Sequence, residues 1–124
     1  MVSFTLGFRK VGKVELRRDK RFFEPTFSVE VGGYRYDTEN WSLGGLLLRN
    51  YEGRFFSSMP LLVHISVKSG ARDPRVQQNV LSVEALVVRN DRQKRQLALK
   101  FVKLTPAIIR FLERSYIAHN RRIR

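Results

Sequence analysis

Two short runs of residues carry groups suited to binding a planar anion. Arg17-Arg18-Asp19-Lys20-Arg21 crowds four cations around one carboxylate, with Arg17 and Arg21 four residues apart. A guanidinium presents a planar fork of donors that can meet a phosphate, or the O6 and N7 edge of a guanine, with two parallel hydrogen bonds. Further along, Asn40-Trp41-Ser42-Leu43-Gly44-Gly45 offers a side-chain amide, a hydroxyl and backbone bare of side chains. If the chain between them folds back as a hairpin, the two runs enclose one polar pocket. Each run also admits a plain structural account: a solvated charge cluster paired with Glu15 and Asp19, and a turn in which Asn and Ser bond their own backbone.

Catalytic constellations find little support. The chain has no cysteine, so it forms no disulfide and carries no thiol nucleophile or zinc site of the Cys type. His64 and His119 read as residues of a strand's polar face and a helix's last turn. No phosphate-cradling glycine loop, nucleophile elbow or paired carboxylates appear, and the expectation is a protein that binds and is not an enzyme. The absence of cysteine fits a cytoplasmic protein, and no run approaches the length of a membrane span.

The elements that must position the two runs are mostly strands. Phe27, Val29 and Val31 alternate with Ser28, Glu30 and Gly32, and Gly32-Gly33 is a strong hairpin turn. Tyr34 and Tyr36 lie on the return strand, which Glu39-Asn40 is expected to break. Leu46–Leu48, then Leu61 to Val67, Leu81 to Val87 and Leu97 to Phe101 repeat the alternation, with Asn90 to Arg95 as a turn. Thr105-Pro106 starts a helix, threonine capping free amides and proline occupying the first helical position. Ile108, Leu112 and Tyr116 then place an apolar stripe on a helix of about fourteen residues, followed by a basic tail from Asn120. Before the first run, Val2 to Phe8 reads as a possible extra edge strand, and Arg9 to Arg21 as an irregular, mobile basic arm.

The fold class is mainly β: a six-stranded antiparallel barrel with a C-terminal α-helix packed on it. One domain is expected, divided into an arm (1–21), a barrel (22–104) and a helix with its tail (105–124). Periodicity alone describes an OB-like or other small barrel equally well. The charge balance is uneven, with 24 Lys and Arg against 11 Asp and Glu, a formal +13. Seven basic residues fall between Arg9 and Arg21 and five arginines follow Pro106, so a polyanion is the natural class of partner.

Arg17-x-x-x-Arg21 followed by Asn40-x-Ser42-x-x-Gly45 resembles the two-part signature of the PilZ domain, whose members bind the bacterial second messenger cyclic di-GMP. The resemblance runs from Arg17 to the end of the chain. It implies a six-stranded barrel and no cofactor, with cyclic di-GMP as ligand. Arg17 and Arg21 would hold phosphates and guanine faces, Asn40 and Ser42 would bond a guanine edge or the arginines, and Gly45 would let the ligand approach the backbone. Arg18 ranks below its neighbours, and Arg89 stands where some members place a further arginine. The family pattern admits Asp or Asn at position 40; Asn40 supplies a neutral hydrogen bond where Asp would supply charge. The implied output is a change in the surface offered to a downstream protein or fused domain, in motility or exopolysaccharide control. The alternative is a basic barrel that binds nucleic acid or another polyanion through the same arginines and the tyrosine strand.

Overall fold

The computed structural model describes residues 20–68 and 79–121 in full, and 8–11, 14–17 and 122 by their backbone. The expected edge strand at Val2 to Phe8 falls outside the described residues except for Phe8, and Arg18 lies outside them.

Six strands close into a barrel: β3 (Phe27–Val31), β4 (Tyr34–Ser42), β5 (Gly45–Leu48), β6 (Pro60–Val67), β7 (Leu81–Asp91) and β8 (Gln96–Phe101). Their order around the wall is β3-β4-β5-β8-β7-β6, every pair antiparallel, with β6 returning to β3. The period-two pattern explains which side faces in. Phe27, Val29 and Val31 are buried while Ser28 and Glu30 are half-exposed, and Val63 with Ile65, Ala85 with Val87, and Leu97 with Leu99 do the same on their strands. Closure leaves no free strand edge, so the backbone groups of the wall are paired with neighbours.

Two hairpins in sequence deliver the second motif. Val31 pairs with Tyr34 across Gly32 and Gly33, whose φ values of 59° and 86° lie in the left-handed region that a two-residue turn of this hand requires. Ser42 pairs with Gly45 across Leu43-Gly44. The expected break at Glu39-Asn40 is instead a bulge: β4 continues to Ser42, and its register against β5 shifts between Thr38 and Asn40. Polar residues ended the alternation without ending the strand, because a bulge accommodates one extra residue and leaves pairing intact on either side. The buried Thr38 contributes beyond the ladder, its Oγ1 accepting the Phe27 amide at 2.9 Å.

Helix α1 (Pro106–Arg122) packs against the barrel through Ile108 and Leu112. Thr105 Oγ1 accepts the Ile108 amide at 3.3 Å, the capping bond its position implied. The helix runs on through the expected tail to Arg122, since nothing from Asn120 to Arg122 interrupts helical geometry. Strand β7 likewise extends through Asn90 to Asp91, so the turn is confined to 92–95. Among the described residues no helix is long and apolar enough to cross a membrane.

The N-terminal arm departs most from expectation. Where irregular chain was expected, β1 (Phe8–Val11) pairs antiparallel with β2 (Val14–Arg17), Val11 opposite Val14 and Phe8 opposite Arg17. Strands of four residues are too short for alternation to announce them, and the charged residues at Arg9, Lys10, Glu15 and Arg17 obscure what remains.

Candidate ligand-binding site

The two motif halves meet because one aromatic residue ties the arm to β4. Phe22 forms an isolated antiparallel bridge with Trp41: its amide donates to the Trp41 carbonyl at 2.8 Å, and the Trp41 amide donates back at 2.9 Å. Its ring stacks on the Trp41 indole at 4.9 Å and meets the edge of Tyr116 of α1 at 5.0 Å. Trp41 is wholly buried, its indole N–H donating to the Pro25 carbonyl, so it is a core residue and takes no part in stacking on a base. The residues flanking this bridge are Arg21 and Ser42.

Arg21 Nη1 lies 3.4 Å from Ser42 Oγ and 3.5 Å from the Gly45 carbonyl oxygen. These are long hydrogen bonds, near the limit at which the geometry contributes. Ser42 Oγ also accepts the Gly44 amide at 3.0 Å, so the local turn and the motif use the same hydroxyl. An oxygen that accepts two donors still has its own proton to give, and no described residue takes it. Asn40, on the outward face of the same strand, has its Oδ1 buried without a hydrogen-bond partner. Strand β4 thus carries a hydroxyl beside the Arg21 guanidinium and, two residues earlier, a buried amide oxygen without a hydrogen-bond partner.

Gly45 has a reason to be glycine that its sequence context did not disclose. A Cβ there would collide with the Leu99 carbonyl oxygen of β8 and come within 2.9 Å of Lys100 Cα. The neighbouring strand therefore excludes a side chain, whatever approaches from outside.

Arg17 closes β2, and the chain bounds its position: four residues span at most about 14 Å, so its Cα stays within that radius of Arg21. Arg89 is exposed on β7, on the outward row Asn40–Leu47–Ala98–Arg89. Three strand spacings, roughly 14 Å, separate it from Asn40, so the structure does not gather it with the Arg21 group. Lys20 lies 5.5 Å from the centroid of the Phe22 ring, adding a cation beside the bridge. Lys20 was legible as one cation of the cluster, but Phe22 did not stand out; its only signal was a Phe-Phe pair directly after the arginines.

A cleft of about 440 Å³ lies elsewhere, lined by Glu24, Arg49, Lys68 and His119 among others. Its cations are already neutralised, since Lys68 pairs with Asp37 and Arg49 lies 3.7 Å from Asp37 and 3.9 Å from Glu39.

No family model matches the chain, and no curated protein matches it. Among solved structures it is similar to the Bacillus subtilis inhibitor of motility, MotI/DgrA, with a TM-score of 0.62 at 18% identity. The two share a fold. The match covers 94% of this chain and 64% of that one, so this chain spans less than two thirds of the other protein's length.

Proposed function

We propose that this chain is a cyclic di-GMP receptor domain whose N-terminal basic segment closes over the ligand. The observation that carries the reading is the meeting of Arg21, Ser42 and Gly45, separated by 21 and 24 residues in sequence. The PilZ-like signature predicts that its halves adjoin. A phosphodiester would take the Arg21 guanidinium in place of its long contacts to Ser42 and Gly45, and the released hydroxyl and the Asn40 amide would bond a guanine edge. Arg17, on its short tether, would take the second phosphate or stack on a base.

Ordering free chain costs about 1 to 2 kcal/mol per residue. Two features lower that cost: the Phe22–Trp41 bridge anchors the segment at its barrel end, and the β1–β2 pairing orders part of the rest. What swings is then a hairpin on a short connection. The consequence is a changed surface for a partner protein. The name of the similar structure, an inhibitor of motility, supports an output of that regulatory kind.

Isothermal titration of the chain with cyclic di-GMP tests the reading. Saturable binding is expected, lost in Arg21→Ala and weakened at least tenfold in Ser42→Ala; no heat from the wild type at tens of micromolar ligand would discard it.

A second reading has its own observation. Arg110, Arg114 and Arg121 lie exposed on one side of α1 and would suit a nucleic acid or other polyanion. It requires binding that weakens steeply with salt and is spread over both termini, with little effect of Ser42→Ala.

A further inference from the structure

The outer wall of β6, β7 and β8 carries apolar side chains left exposed on a basic molecule. Register places Leu62 beside Glu84, and the Val102 amide donates to the Glu84 carbonyl, so Leu62, Glu84 and Val102 form one outward row. Pro60, Leu86 and Lys100 form the next. Leu62 is 57% exposed and Val102 52%, large fractions for apolar side chains on a wall whose alternate residues are buried. A shallow groove of about 450 Å³ opens between Pro60, Leu62 and Glu84. The six residues hold one acid and one base, and neither Glu84 nor Lys100 has an ion-pair partner among the described residues. A contiguous apolar face of this kind marks an association surface.

We propose that this face binds a second copy of the same chain, forming an isologous dimer. Charge supplies the argument for that occupant. A chain of net charge +13 repels its copy over most of its surface, and here the charge sums to zero. The balance is also self-complementary. Glu84 and Lys100 sit on adjacent strands, one outward row apart, a diagonal of roughly 8 Å. A two-fold axis lying in the face and bisecting that diagonal sets Glu84 of each copy opposite Lys100 of the other. The same axis passes close to Leu86 and Val102, so each meets its own counterpart and loses its exposed apolar surface. Lys100 also pairs with Gly45 in register, so the dimer face adjoins the Ser42 turn. The inference stands without the cyclic di-GMP reading.

Sedimentation velocity across a concentration series on the full chain tests it. The wild type should rise from 14.5 kDa towards about twice that mass with concentration. Val102→Lys sets like charges together on the axis, and Glu84→Lys or Lys100→Glu sets like charges across it. Each should weaken association about tenfold or more while leaving the far-ultraviolet spectrum and melting temperature unchanged, because all three positions are exposed. Mixing the Glu84→Lys and Lys100→Glu proteins should restore the dimer, since both cross-axis pairs then become opposite in sign. A wild type that stays monomeric at millimolar concentration overturns the proposal, and so does a dimer indifferent to these substitutions. Restoration absent from the mixture overturns the two-fold arrangement proposed.

Discussion

Arg21 and Ser42 occupy one small volume for reasons that single substitutions can separate. Ser42→Ala removes the acceptor for the Gly44 amide and the hydroxyl 3.4 Å from Arg21, yet the β4–β5 pairing remains. Its stability cost should stay within about 1 to 2 kcal/mol in urea unfolding, the range for one part-buried hydrogen bond, whereas the proposed receptor reading expects at least a tenfold weaker cyclic di-GMP titration. Gly45→Ala should behave in the opposite sense. The added methyl meets the Leu99 carbonyl oxygen, which is backbone and cannot rotate away, so a loss of about 1 to 3 kcal/mol is expected before any ligand is added. Tyr36 offers a third residue-scale test. Burial, together with the nearby phenols of Tyr51 and Tyr34, raises its pKa above 10.0. The folded protein therefore holds that proton more tightly than the unfolded chain. Its contribution is present below pH 10 and is lost as pH rises through the folded pKa, so Tyr36→Phe should flatten the fall in stability across that window.

Among the elements, the junction of arm, β4 and α1 decides whether the site exists. Phe22 is 7% exposed, hydrogen-bonded through its backbone to Trp41 and packed against both Trp41 and Tyr116. Phe22→Ala should cost up to about 3 kcal/mol and free the preceding residues from the barrel. The chain has a single tryptophan, so fluorescence reports this junction directly: the emission of Trp41 should shift to the red as the stacked ring is removed. Ligand affinity should fall with it, although Arg21 itself is untouched. At the other side of the junction, Thr105→Ala removes the bond to the Ile108 amide and should lower stability by about 1 kcal/mol. Because Tyr116 lies in the same helix, binding at Arg21 and fraying of α1 share one set of ring contacts.

At the scale of the whole molecule, charge and fold act separately. The +13 balance governs how fast and how indiscriminately the surface meets anions, and salt screens it over about 10 Å at 0.1 M. The Arg21 site is tied to particular groups in fixed places. The barrel and the helix were legible from alternation and from the Thr105-Pro106 start, because burial on one side of a strand or helix leaves a period in the chain. Less legible were the bulge at Asn40, the short arm strands and the run of α1 to Arg122, where polar or charged residues carry no period. Of the candidate site, the identities of Arg21, Asn40, Ser42 and Gly45 were readable as groups that bind. The hairpin expected between the two runs also implied that Arg21 and Ser42 adjoin, as they do; not readable was the separation that sets Arg89 some three strands from Asn40.

The amino-acid order by itself determined which faces turn inward and where the turns and the helix cap fall, since those depend on residues near one another in the chain. Only the closed barrel decided that Phe22 pairs with Trp41, that β8 denies Gly45 a side chain, and that a largely apolar wall of balanced charge survives on a basic protein. Each of these follows from strands brought side by side, and contact across a barrel has no spacing that a linear sequence can display.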